Sequence, residues 1–119
     1  MSWLAAGLVC CVVSIAAGAF GAHGLKERLA TAELELWETA ARYLMYGGMG
    51  LSILGLASHV MVRPLGAAAI SLLAGTLIFS LTVFALALGA PRWFGAITPI
   101  GGVLMILGFF LFALAVWRG

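Results

Sequence analysis

At 119 residues the chain is one domain by size, yet 65% of it is hydrophobic, 8% is charged and the mean hydropathy is +1.21. Soluble domains carry about a quarter charged residues, so this composition excludes a water-soluble fold and points to an integral membrane protein. The net charge of +2, from six Lys/Arg scattered along the chain, excludes a nucleic-acid binder, which needs a clustered basic stripe. The expected fold is all-α: a single domain, 1–119, forming a four-helix transmembrane bundle with a short interfacial amphipathic helix between helices one and two.

The first span is Trp3 to Ala22, uncharged and about 30 Å long as a helix, the thickness of a bilayer's hydrocarbon. Ala17-Gly18-Ala19 has the small residues of a signal-peptide cleavage site, but no Lys or Arg precedes Lys26, so the run reads as a retained transmembrane helix. Small residues at 17/21 and 18/22 offer a close-packing face. Cys10 and Cys11 are adjacent, and their side chains diverge by about 100° on a helix. They therefore cannot staple distant segments together, and read as small apolar residues.

The charges gather between His23 and Arg42. Thr31 is positioned to cap a helix whose first turns carry Glu33 and Glu35 at the positive end of the dipole. The interfacial helix is expected over 31–42, running into a second span over 43–62, with a bend at Gly47-Gly48. Glu38 and Arg42 stand at i,i+4 in the favourable order for an ion pair. Tyr43 and Tyr46 are interface anchors at the entry, and His59 and Arg63 mark the exit. Arg63-Pro64 reads as a turn.

The third span is expected over 65–88, with Ala67, Ser71 and Gly75 as a seam and with Thr76 and Ser80 bonding back to their own backbone. Arg92 lies in the next turn. The segment 94–117 is the fourth span. Either it is one helix kinked by Pro99, or, as preferred, Thr98 is an N-cap and Pro99 the first helical residue, with Phe94 to Ile97 dipping at the interface and free N–H groups at 98 to 101. Gly18, Gly21, Gly47, Gly50, Gly75 and Gly101 are the expected helix-packing glycines. Lys26, Arg28, Arg42 and Arg92 fall on the loop side, against Arg63 and Arg118 on the terminal side, which leans toward loops inside.

Three motifs in order, Phe20-Gly21-Ala22-His23-Gly24-Leu25, Trp37-Glu38-Thr39-Ala40-Ala41-Arg42-Tyr43-Leu44-Met45-Tyr46 and Phe94-Gly95-Ala96-Ile97-Thr98-Pro99-Ile100-Gly101-Gly102, resemble the bacterial "domain of unknown function 423" family, relatives of transmembrane protein 256. The resemblance covers nearly the whole chain. It implies a small four-helix protein of the bacterial inner membrane and brings no activity, ligand or catalytic residue with it. The family's usual histidine after the second aromatic is Gly47 here, and a frequent tyrosine is Phe84.

His23, Arg42, Tyr43, Tyr46, Arg92 and Thr98 form the candidate binding cluster, a polar rim that sets an imidazole beside arginines and a helix N-terminus. The competing account is structural: His23 pins a loop, the arginines and tyrosines anchor at headgroups, and the glutamates form a solvated face. The sequence holds no phosphate loop, zinc-protease motif, Cys-x-x-Cys or nucleophile elbow. The expectation is therefore a non-enzymatic protein without catalytic residues, metal or cofactor. Its partners would be the lipid bilayer, another membrane protein or further copies of itself. The alternative is a small oligomeric transporter or channel for a small anion or proton.

Overall fold

The computed structural model describes residues 2–119, and of Ser2 only the backbone. Four helices, α1 (Ser2–His23), α2 (Thr31–Ala57), α3 (Gly66–Ala87) and α4 (Phe94–Arg118), follow one another through short turns. Short connections make sequence neighbours antiparallel neighbours in space. Accordingly α1 packs along α2, α2 along α3 and α3 along α4, while α1 and α4 share no comparable seam. The result is an open, corrugated bundle of 49 × 27 × 19 Å. Its long axis suits a bilayer of about 40–45 Å including headgroups.

Two of the seams are built on a seven-residue spacing of small side chains. Gly7, Ser14 and Gly21 of α1 face α2, where Gly48 and Gly55 answer from the other side. A Cβ on Gly7 would lie 2.6 Å from the Gly48 carbonyl oxygen, and one on Gly55 would run into the Leu4 backbone. Between α3 and α4, a Cβ on Gly75 would sit 2.5 Å from Met105 N and one on Gly108 2.6 Å from Leu72 N, and Gly101 lies against the Phe79 backbone. Backbones this close replace bulky side-chain packing with many dispersion contacts, the mode available where lipid removes the hydrophobic drive between helices. Hydroxyls reach backbone across the seams as well: Ser14 Oγ donates to the Ala41 carbonyl at 2.6 Å and Ser71 Oγ to that of Leu104 at 2.8 Å.

The apolar core lies at the end that bears both termini. Leu51, Leu54, Leu65, Ala68, Ala69 and Leu72 are buried there, with Trp3 and Ala6 of α1 packed from one side and Leu111, Phe112 and Ala115 of α4 from the other. At the opposite end the connection is aromatic. The Trp37 ring stands edge-on to Phe20 (6.2 Å) and to Phe84 (4.5 Å), so one α2 residue ties α1 to α3.

Among the described residues three helices, Trp3–His23, Gly66–Ala87 and Phe94–Arg118, are long and apolar enough to cross a membrane. The fourth, α2, runs unbroken through Gly47 and Gly48 and fuses the expected interfacial helix and second span. It stops at Ala57, short of the expected Val62. Ser58 Oγ donates to the Gly55 carbonyl at 2.6 Å, and the N–H groups of His59, Val60 and Met61 fold back onto Leu56 and Ala57. The chain then leaves the bundle, with Val60 and Val62 exposed. Thr31 is not the cap either: Ala30 holds the N-cap position without a side-chain bond, and Thr31 is already helical.

The fourth span also differs from the preferred expectation. Phe94, Gly95 and Ala96 donate to the carbonyls of Pro91, Arg92 and Trp93, so α4 starts a full turn earlier than expected, and Pro99 sits inside it. Thr98 Oγ1 bonds the Phe94 carbonyl at 3.1 Å, as a helix-interior threonine does. Residues 98–101 therefore do not form a helix N-terminus with free N–H groups. Pro99 is past the first turn of α4, so the Gly95 carbonyl loses the N–H it would otherwise accept. The preceding turn closes on Gly89 at φ 99°, with Ala90 N–H on Ala85 O and Gly89 N–H on Leu86 O, the paired bonds of a glycine-terminated helix.

Candidate functional site

The six residues of the expected rim fall into separate environments. Arg42 and Glu38 line a cleft of about 320 Å³ between α1 and α2, with Ser14, Gly18, Ala41 and Met45. Arg42 donates to Thr39 Oγ1 at 3.3 Å. Among the described residues no ion pair joins Arg42 to Glu38, although their spacing permits one.

Tyr43 and Tyr46 turn the other way. Their rings meet at 5.0 Å, and Tyr43 lies 4.6 Å from Phe79. Both line a groove of about 400 Å³ between α2 and α4, with Phe79, Gly102, Met105, Ile106 and Phe109. Thr98 is committed to an interhelix bond, its Oγ1 2.8 Å from that of Thr82. His23 ends α1, exposed, and Arg92 is exposed in the α3–α4 turn. The structure thus brings the two tyrosines together and holds Arg42, Thr98 and His23 apart from them.

The register explains the division. Ser14 meets Ala41, and Trp37 Nε1 donates to the Ala17 carbonyl at 2.7 Å. Arg42 is therefore level with the middle of α1, about 13 Å along the axis from His23. It stands beside the middle of α1, not at its end.

The first motif proves to be a helix stop. The Phe20 ring covers Gly24, where a Cβ would stand 2.7 Å from the ring; Leu25 N–H returns to Phe20 O at 3.1 Å, and the Leu25 side chain is buried. Gly21 is bare because the Trp37 indole occupies the place of its side chain: a Cβ there would stand 2.6 Å from the ring. Gly47 lies against Thr76, and Gly50 against Phe109 and Leu72. Gly18 is different: a Cβ there would meet nothing within 4 Å, so it belongs to the open cleft and not to a seam inside the chain. Ala67 is exposed, and the α3 seam runs through Ala68, Ser71 and Gly75 instead.

A third groove, about 310 Å³ and lined only by apolar surface, opens between α1 and α3 over α2, with Val9, Cys10 and Val13 on one wall, Leu77, Leu81 and Phe84 on the other, and Trp37 and Leu44 beneath. No sequence pattern marks it, since its walls come from separate helices. Thr76 Oγ1 bonds the Leu72 carbonyl at 2.7 Å as expected, but Ser80 Oγ is buried with no partner among the described residues. Among the described residues no three of His, Cys, Asp and Glu converge as a metal site would require.

An all-helical chain with this apolar surface and these close seams is a membrane protein. Residues 17–102 match the family described as "Protein of unknown function (DUF423)", and the chain belongs to that family. It is 39% identical over 112 residues to a UPF0382 membrane protein of Staphylococcus haemolyticus, covering 94% of this chain and 92% of the relative. It is 40% identical over 109 residues to a UPF0382 membrane protein of Staphylococcus epidermidis, covering 92% and 89%, and 38% identical over 112 residues to one of Staphylococcus saprophyticus, covering 94% and 93%. No solved structure matches the chain.

Proposed function

We propose that the protein crosses the bacterial inner membrane four times and works, without catalysing a reaction, as an assembly partner for other membrane-embedded chains. The carrying observation is the open bundle: the two outer helices, α1 and α4, are packed on one side only and leave grooves above α2 and α3. Bundles that are complete in themselves close such gaps with their own helices. Here each internal seam is already tight, so what remains open is available to an apolar occupant of helix or acyl-chain width.

The fourth crossing follows from register. Contacts from Leu4 at Gly55 to Gly21 at Trp37 lay α1 against about 27 Å of α2. If α1 spans, α2 spans beside it, despite the charges near its start. Loops then face the cytoplasm by the distribution of Lys and Arg.

Native mass spectrometry of gently solubilised protein tests the reading. A second polypeptide held in defined stoichiometry is the expected result; a bare monomer, or one carrying lipid alone, contradicts it.

A further inference from the structure

With α1 and α2 crossing as proposed, the exposed side chains of Arg42 and Glu38 stand at hydrocarbon depth. Ala41 is fixed beside Ser14, midway along α1, and Glu38 lines the same cleft as Gly18, about a turn inside the α1 end. Ionisable groups at such depth are costly unless paired. Among the described residues they are not paired: Arg42 reaches back along α2 to Thr39 instead. The cleft has a floor of small residues, Ser14, Gly18 and Ala41, and space above Gly18.

We propose that a second copy of this chain fills the cleft, related by a two-fold axis along the membrane normal, with Arg42 of each copy paired to Glu38 of the other. This rests on the assembly reading and names its partner. Copies inserted in the same orientation place equal residues at equal depth. The Arg42 guanidinium already extends one turn toward the start of α2, the level at which the other copy's Glu38 stands. A patch carrying one acid and one base is self-complementary under a two-fold, as an isologous interface requires. Ser14, Gly18 and Ala22 recur every four residues beside the cleft, and Gly18 and Ala22 are spent on no internal seam. That spacing lets two helices approach closely. A lipid phosphate in the same place satisfies Arg42 but leaves Glu38 facing a second anion.

The test expresses differently tagged Glu38→Gln and Arg42→Gln chains, alone and together, and counts copies in lipid nanodiscs by native mass spectrometry. Each variant alone is expected to lose dimer about tenfold, the scale of one interhelix polar contact. The mixture is expected to be enriched in the mixed dimer, which alone regains an Arg42–Glu38 pair between chains; a pair within one chain gives no such recovery. In a Cys10→Ala/Cys11→Ala background with both charges intact, Gly18→Cys is expected to cross-link copies on mild oxidation. A monomeric wild type, absent enrichment of the mixed dimer, or no Gly18→Cys cross-link overturns the proposal. A monomer that still holds another membrane protein overturns the second copy and leaves the assembly reading standing, whereas a monomer with no protein partner overturns both.

Discussion

Glycine does opposite things in this chain according to what it faces. At Gly101 a methyl group collides with the Phe79 backbone, which has no flexible end to yield, whereas at Gly18 it meets open space. Gly101→Ala is therefore expected to destabilise the protein by about 1–3 kcal/mol through overpacking, and Gly18→Ala to stay within about 0.5 kcal/mol when dispersed in detergent, where copies are apart. Equilibrium unfolding in mixed micelles measures both. Trp37 is the side chain on which the loop end depends, since it fills the space left by Gly21, bonds Ala17 O and touches two aromatic rings. Trp37→Phe keeps most of the ring area but removes the N–H donor and leaves the Ala17 carbonyl one partner short, a loss of about 1 kcal/mol. Ser80 behaves oppositely: its hydroxyl is buried with no partner among the described residues, so Ser80→Ala is expected to be neutral or stabilising by up to about 1 kcal/mol in the same assay.

At the scale of helices, three of the four are legible in the sequence because a membrane span needs only length and apolarity. The bounds of α1 and α3 fall within a residue or two of those expected. The end of α2 is not legible, because Val60, Met61 and Val62 continue the apolar run although the backbone has already turned at Ser58. The start of α4 is hidden for a related reason. Thr98-Pro99 has the composition of a helix start, but three carbonyls from Pro91 to Trp93 accept bonds one turn earlier, and Thr98 is used sideways on Thr82. That sideways bond is expected to couple α3 and α4. Thr82→Val and Thr98→Val each cost about 1 kcal/mol, and the double variant costs less than their sum, as partners in one bond do; additive losses in unfolding would place the two hydroxyls apart. The small-residue seams are legible in part. Every-four spacing is the pattern the sequence suggests: Ser71 and Gly75 keep it in the α3–α4 seam, whereas the α1 seam uses every seven, so Gly21 lies in it while Gly18 turns to another face. The expected rim fails on depth, a quantity that emerges only once α1 and α2 are in register.

The whole molecule is an array that never closes. Its core joins all four helices at the terminal end, its aromatic ties hold the loop end, and between them run grooves that its own helices leave unfilled. The depth of Arg42 and the pairing of copies both require α2 to cross the bilayer alongside α1. The direct measurement is labelling of single cysteines with an impermeant maleimide in intact bacterial cells, in a Cys10→Ala/Cys11→Ala background. Glu35→Cys and Arg92→Cys are expected to resist label from outside and Val62→Cys to accept it. Glu35→Cys and Val62→Cys reacting from the same side would contradict the four-crossing arrangement.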